Sequence, residues 1–249
     1  MKFDDRILNF EHKLNDTDDT ITEFIQKNRN DFPKLTIRVL AEKLYTVPNT
    51  IVRYSQKLGY SGFSELKNAI KIENNIEYPI EHAPQWEVIK RTFDLINHEL
   101  EEKITKQIML SKKVVFFAVG QTSYPTEIYA KNFQALDHKS TFHTYQHEVF
   151  YELETEKNLF LILVSLSGES PQLIKIAEKA REKNCSLLGV THLSNNSLQK
   201  VCDYHLYCYS PEKYLNGYNI TDKTPLLIVL NSLFEAYQKM CTNTQKLLD

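Results

Sequence analysis

Leu159, Phe160, Leu161, Ile162, Leu163 and Val164 form an unbroken apolar run that stops at Ser165. A run this short and this uniform has no polar face to offer water, so it reads as a strand buried on both sides. Leu166, Ser167, Gly168, Glu169, Ser170 and Pro171 follow. Ser170 suits a helix cap, and Pro171 suits the first helical position, where its missing N–H costs nothing. A doubly buried strand, a hydroxyl-rich loop and a helix in succession constrain this part of the chain to an α/β layout.

The surrounding sequence repeats that grammar. Further strands are expected at 114–119, 140–145, 186–191 and 204–209, with helical patterns at 127–136, 171–183 and 198–202 between them. Helical stretches at 86–110 and 224–239 flank the block. Strand and helix in alternation imply a parallel sheet covered on both faces. Ahead of it, residues 1–73 carry only helical spacing: Ile21, Phe24 and Ile25; Ile37, Leu40, Ala41 and Leu44; Ile51, Val52, Tyr54 and Leu58; Phe63, Leu66 and Ile70. Thr36 can cap a helix at Ile37, Pro48 can open the next, and Gly59 follows Leu58 where a helix ends. The expected architecture is two domains: an all-α helix-turn-helix bundle (1–73), then a doubly wound parallel α/β sheet (86–249). The polar stretch 74–85, with Pro79 and Pro84, joins them as a linker.

The formal net charge is −2, yet Lys34, Arg38, Lys43, Arg53, Lys57, Lys67 and Lys71 outweigh Glu42 and Glu65 in one short stretch. A localised basic segment on a near-neutral chain suggests a polyanion surface, although a solvated helix face has the same composition. No apolar run is long enough to span a membrane, and the N-terminus lacks the apolar core of a secretory signal. Cys185, Cys202, Cys208 and Cys241 form no C-x-x-C pair. A reduced, cytoplasmic protein with buried thiols is expected.

Helices at 37–44 and 48–58 joined by Tyr45, Thr46 and Val47 have helix-turn-helix dimensions. Asn49, Thr50, Arg53, Gln56 and Lys57 are spaced to share one face of the second helix. Arginine and asparagine can read base edges, so Asn49, Thr50 and Arg53 are the candidates for base contact. Arg38, Lys57 and Lys67 are the candidates for the phosphate backbone. A helical bundle used only for dimerisation would share the pattern.

The loop after Val164 presents an anion site. Unpaired helix N–H groups and the positive dipole end would face its occupant, and Ser165, Ser167 and Ser170 supply hydroxyls. Gly120, Gln121, Thr122 and Ser123 follow the first strand, and 191–197 follow the fourth. In a parallel sheet all three loops reach the carboxyl edge, where ligands bind. Taken singly, each could be a serine-rich turn that only caps its helix.

At these residues the chain resembles the RpiR-type transcription regulators, which join an N-terminal helix-turn-helix to a C-terminal SIS (sugar isomerase) domain. The first block carries the resemblance at Leu40, Ala41 and Glu42, at Arg53 and Tyr54, and from Lys57 to Phe63 with Leu66 and Lys67. The second carries it around Gly120, at Ser165-x-Ser167-Gly168-Glu169-Ser170, and from Thr191 to Asp203. The resemblance implies a phosphosugar bound without turnover, its phosphate held by Ser165, Ser167 and Ser170 with the Gly168 and Glu169 amides, and by Thr122 or Ser123 from the Gly120 loop. It implies no cofactor. Departures from the family pattern fall at Tyr45, where glycine is usual, at Val47, where a serine cap is usual, and at Ala118, Thr122 and Asn196.

A phosphosugar isomerase is the main rival. It needs a base at the reacting carbons, for which Glu127, His147, Glu148 and Glu152 are available. His143-x-x-x-His147-Glu148 is a weak metal pattern, because His143 is expected to end a strand. A module that only binds other proteins would leave the basic segment and the serine loop unexplained. The expected partners are a double-stranded DNA operator, a sugar-phosphate effector and a second copy of the chain, since two-fold operators call for dimers. The helix at 224–239 is the candidate dimer surface, and the linker would carry the effector signal.

Overall fold

The computed structural model describes residues 1–74 and 84–246. The chain divides into two compact units, Met1–His82 and Ala83–Asp249. Most of the expected linker lies outside the described residues.

The first unit is helical: α1 (Phe3–Asn9), α2 (Asp16–Lys27), α3 (Ile37–Lys43), α4 (Pro48–Lys57) and α5 (Phe63–Asn74). Asn15 opens α2 by accepting the Thr17 and Asp18 amides, and the Asp18 carboxylate accepts the Asn15 amide in return. Phe3, Ile21, Ile25, Phe32, Leu40, Ile51, Tyr54, Leu66 and Ile70 meet in its core. The Tyr54 hydroxyl lies there, 2.7 Å from Thr22 Oγ1, so the one polar end of that ring is satisfied. Thr36 caps α3 through the Val39 amide at 3.3 Å. Tyr45 then takes φ +51°, with the Thr46 amide reaching Ala41 O and the Tyr45 amide reaching Glu42 O. That is a Schellman closure, with tyrosine in the left-handed position that glycine normally fills. Pro48 starts α4, but Val47 offers it no side-chain cap.

The second unit runs α6 (Gln85–Leu95), α7 (His98–Leu110), β1 (Lys113–Ala118), α8 (Ser123–Asp137), β2 (Ser140–His143), α9 (Gln146–Thr155), β3 (Leu159–Val164), α10 (Pro171–Glu182), β4 (Ser186–His192), β5 (Tyr204–Cys208), β6 (Tyr214–Leu215), β7 (Tyr218–Asn219) and α11 (Thr224–Lys246). β1 to β5 form one parallel sheet ordered β2-β1-β3-β4-β5. Every residue of β3 is buried. Phe160, Ile162 and Val164 face a core with α7, α8 and α11, while Leu161 and Leu163 face one with α9 and α10. The period-2 alternation thus serves two apolar faces at once. From β1 the chain first winds outward to β2, then crosses back to β3. The carboxyl ends of β1 and β3 therefore flank the point where winding reverses, the crevice in which ligands of open α/β sheets sit.

Several elements differ from expectation for local reasons. The stretch 86–110 is two helices, because Asn97 breaks it and caps α7 through the Leu100 amide. β2 ends at His143, because the Thr144 and Tyr145 amides turn to Glu148 Oε2. Residues 198–202 make a single turn in place of a helix. Leu198 is pinned by its amide to Gly168 O, and Asp203 is already tied to Leu187 at the entry to β5. The β6–β7 hairpin was not expected at all.

Candidate functional site

Two surfaces gather the expected functional residues. On the first unit, α4 follows α3 after a short turn. Arg38, Asn49 and Arg53 are exposed, Thr50 is half-buried, and none of the four has a side-chain partner among the described residues. Arg53 and Asn49 lie one turn apart on α4, so they present together. Lys57 is placed differently. Its ammonium lies 2.5 Å from Asp18 Oδ2, and that carboxylate is only 4% exposed. A buried carboxylate left without a counter-ion is costly, so Lys57 is committed to the fold first. Lys67 donates to Leu35 O at 3.3 Å, which leaves it partly available.

On the second unit, a cleft of about 400 Å³ opens at the switch point. Val119, Gln121 and Thr122 come to it from the loop after β1, and Ser165, Leu166, Ser167 and Ser170 from the loop after β3. The three serine hydroxyls form a cluster: Ser165 Oγ lies 3.4 Å from Ser167 Oγ and 3.0 Å from Ser170 Oγ. Ser170 occupies the cap position of α10, but its hydroxyl makes no capping bond and joins the cluster instead. The loop is fixed from within. The Gly168 amide donates to Ser165 Oγ and the Glu169 amide to Ser167 Oγ, each at 3.2 Å. Hydroxyls at the positive end of a helix can hold an anion, and small rotations about χ1 are enough to aim them.

Of the expected ligand residues, Thr122, Ser165, Ser167 and Ser170 line the cleft, whereas Gly120, Ser123, Gly168 and Glu169 do not. Ser123 Oγ donates to Gly120 O at 2.6 Å, closing the turn into α8. Gly168 makes the tight turn of the serine loop. It sits at φ +66°, and a Cβ there would lie 2.2 Å from Asn196 Cγ. The Glu169 carboxylate accepts the Ser197 amide at 2.8 Å, and hydrogen bonding from the Ser197 side chain, then from its amide, holds it below the usual carboxylate range. Asn196 is buried, bonded to Thr191 Oγ1 and to the Gln199 amide. The loop after β4 therefore braces the serine loop from behind and lends no residue to the cleft. Only two of the three expected loops converge there.

The third wall comes from residues that the sequence reading missed: Glu212, Tyr214, Tyr218, Asn219, Thr221 and Lys223. The signal was present in Asn216 and Gly217, both at positive φ, the pair that a two-residue hairpin turn requires. Lys223 precedes α11 and brings a cation to the cleft. Burial pushes its ammonium below the usual lysine range, partly offset by neighbouring Asp222. Asp222 in turn caps α11 through the Thr224 amide.

The groups considered for other chemistry lie elsewhere. Glu152 accepts from Lys113 Nζ at 2.6 Å and contacts His143 Nε2 at 3.0 Å. Glu148 caps α9, His147 stacks on Tyr145, and Glu127 pairs with Lys131. None of these lines the cleft. Among the described residues, no group of three or more metal-ligating side chains is assembled. Cys202 and Cys208 are buried, and burial pushes both thiols up to about 12. Among the described residues, no helix is long and apolar enough to cross a membrane.

Comparison with known proteins finds a match in each unit. Residues 1–76 match the helix-turn-helix domain of the rpiR family, and residues 107–236 match the SIS domain. An uncharacterized HTH-type transcriptional regulator of Clostridium perfringens is 23% identical over 98% of each chain. The HTH-type transcriptional regulator GlvR of Bacillus subtilis is 26% identical over 95% of each. Among solved structures, the Vibrio vulnificus NanR protein complexed with ManNAc-6P shares the fold with a TM-score of 0.59 at 18% identity, over 94% of this chain and 90% of that one.

Proposed function

Since the chain belongs to the RpiR-type regulators, which join a helix-turn-helix to an SIS domain, we propose that it is a DNA-binding transcription regulator of sugar-metabolism genes, controlled by a phosphosugar that the SIS domain binds without turnover. The observation that carries this reading is the hydroxyl-lined cleft at the head of α10, in a chain whose α4 presents Arg53 and Asn49 exposed and without a side-chain partner among the described residues. Asn49, Thr50 and Arg53 read bases. Arg38 and, more weakly, Lys57 and Lys67 hold the backbone. Thr122, Ser165, Ser167 and Ser170, with Lys223, hold the phosphate. The ManNAc-6P bound to NanR supports a phosphosugar as the kind of effector.

The effector leaves the cleft unchanged: Glu127, His147, Glu148 and Glu152 stand outside it, and Glu212, the one carboxylate among its lining residues, serves as an acceptor for hydroxyls and not as a base at the sugar carbons. The protein acts in the cytoplasm, as a homodimer matched to a two-fold operator. α11 is the proposed dimer surface, and residues 1–73, 74–85 and 86–249 serve as reader, linker and sensor. Ligand controls DNA affinity only to the extent that it binds one state more tightly than the other.

Fluorescence anisotropy on DNA upstream of the gene tests this, with competitor DNA, two salt concentrations and a panel of hexose, pentose and amino-sugar phosphates. Tight, salt-sensitive, competitor-resistant binding that one phosphosugar alters is the expected result. Conversion of that phosphosugar, followed by phosphorus NMR, would replace the regulator with the isomerase. Sedimentation equilibrium checks the dimer.

A further inference from the structure

The β6–β7 hairpin is a small, exposed ribbon with an unusual burden of apolar surface. Tyr214, Leu215, Tyr218 and Ile220 are 57, 60, 65 and 47% exposed. A two-stranded ribbon is marginal by itself in water, yet this one contributes both tyrosines to the wall of the cleft. Tyr218 is held in place there, its hydroxyl accepting from Gln121 Nε2 at 2.8 Å. Gln121 neighbours Thr122, so the bond ties the hairpin to the loop after β1. Glu212 lines the same wall and accepts from the Tyr214 hydroxyl at 3.3 Å.

Charge orders this cleft. A phosphate dianion is repelled by a carboxylate and attracted by hydroxyl donors, a helix N-terminus and an ammonium. The phosphate therefore belongs with the serine cluster and Lys223, held off from Glu212 by like charge. The rest of the ligand then meets Glu212 and the two tyrosines, a wall that suits donors for a carboxylate and a flat apolar face for a tyrosine ring. A closed sugar ring does both, with hydroxyls at its edge and C–H groups across its face. An open-chain sugar has the hydroxyls but no face.

Building on the phosphosugar reading above, we propose that the hairpin is the sugar-selecting element of the cleft: Tyr218 stacks on the face of a pyranose ring, Glu212 accepts from its hydroxyls, and the effector is a ring-form hexose phosphate. The Gln121 bond is a positioning contact that fixes the ring of Tyr218 before the ligand arrives, which reduces the ordering cost of binding.

Calorimetry on the full chain tests this with three kinds of probe: inorganic phosphate, a set of hexopyranose 6-phosphates, and the open-chain alditol 6-phosphate of each. The best pyranose is expected to bind about tenfold more tightly than its alditol, the usual scale of one aromatic contact. Tyr218→Ala should remove that ratio, while Tyr218→Phe, which keeps the ring and loses the hydroxyl, should retain most of it. Equal affinity for ring and alditol, or a ratio that survives Tyr218→Ala in a variant with unchanged circular dichroism, overturns the proposal. Ser167→Ala separates this from failure of the underlying reading. If it weakens inorganic phosphate and every sugar phosphate alike, the phosphate site stands whatever becomes of Tyr218. If neither phosphate nor any sugar phosphate binds the unaltered chain, both fall together.

Discussion

The proposed recognition helix α4 and the serine loop before α10, proposed to hold phosphate, carry their polar groups in opposite ways. Arg53 and Asn49 stand exposed, with no side-chain partner among the described residues. The serine loop is bonded to itself, hydroxyl to hydroxyl and amide to hydroxyl, and is braced from behind by Asn196. The difference follows from what each must recognise. A base edge differs from site to site and suits a mobile fork of donors. A phosphate is always the same and suits a cradle made beforehand. The reader should therefore tolerate structural change and fail on loss of single side chains, and the sensor should do the reverse.

The sharpest break of that contrast is Gly168→Ala. The new Cβ would enter the space of Asn196, at a backbone angle that alanine rarely adopts. A loss of roughly 3 kcal/mol or more is expected from the strain and the displaced brace. Calorimetric unfolding should show the transition of the second unit lowered, with any effector response gone. A silent substitution would mean that the cradle is not rigid. Arg53→Ala comes next. It should leave the unfolding profile unchanged, since the side chain is exposed and has no polar partner among the described residues, and weaken operator binding by about 1 to 3 kcal/mol, tenfold or more in anisotropy. A variant that bound the operator normally would move base readout away from this face. Ser167→Ala is smaller again. It removes one charge-assisted donor and releases the Glu169 amide, so phosphosugar affinity should fall about tenfold, with basal DNA binding preserved. A normal response to the effector would remove Ser167 from the site.

How far this contrast could be read beforehand depended on the range of the interactions. β3 and the loop after it were legible because apolar alternation, a capping serine and a helix-opening proline act within a few residues. The turn between α3 and α4 was legible for the same reason. The commitment of Lys57 was not, because Asp18 approaches it from α2 across 39 positions of chain. The retreat of the loop after β4 was also hidden, since Asn196 and Glu169 become braces only when packed side by side. The hairpin wall was missed for another reason. Its strands are two residues long and exposed, so they carry no periodicity, and only Asn216 with Gly217 announced them.

The smallest effect tests the reader's tolerance directly. Tyr45 is almost wholly exposed and holds φ +51° at the end of α3, so its ring packs on nothing while its Cβ strains the backbone. A non-glycine residue in this region costs about 1 kcal/mol. Glycine would relieve that cost but would also loosen the unfolded chain, returning about 0.4 to 1 kcal/mol of entropy to the denatured state. Tyr45→Gly should therefore raise the stability of the first unit by no more than about 0.5 kcal/mol, a shift of a few degrees in its unfolding midpoint. The Thr46-to-Ala41 and Tyr45-to-Glu42 bonds need the left-handed turn and not the side chain, so α4 should keep its place and operator affinity should hold. A clear loss of stability would show that the tyrosine ring contributes packing. A loss of operator affinity with stability intact would show that this exposed ring itself touches DNA, making the turn, as well as the helix after it, part of the reading surface.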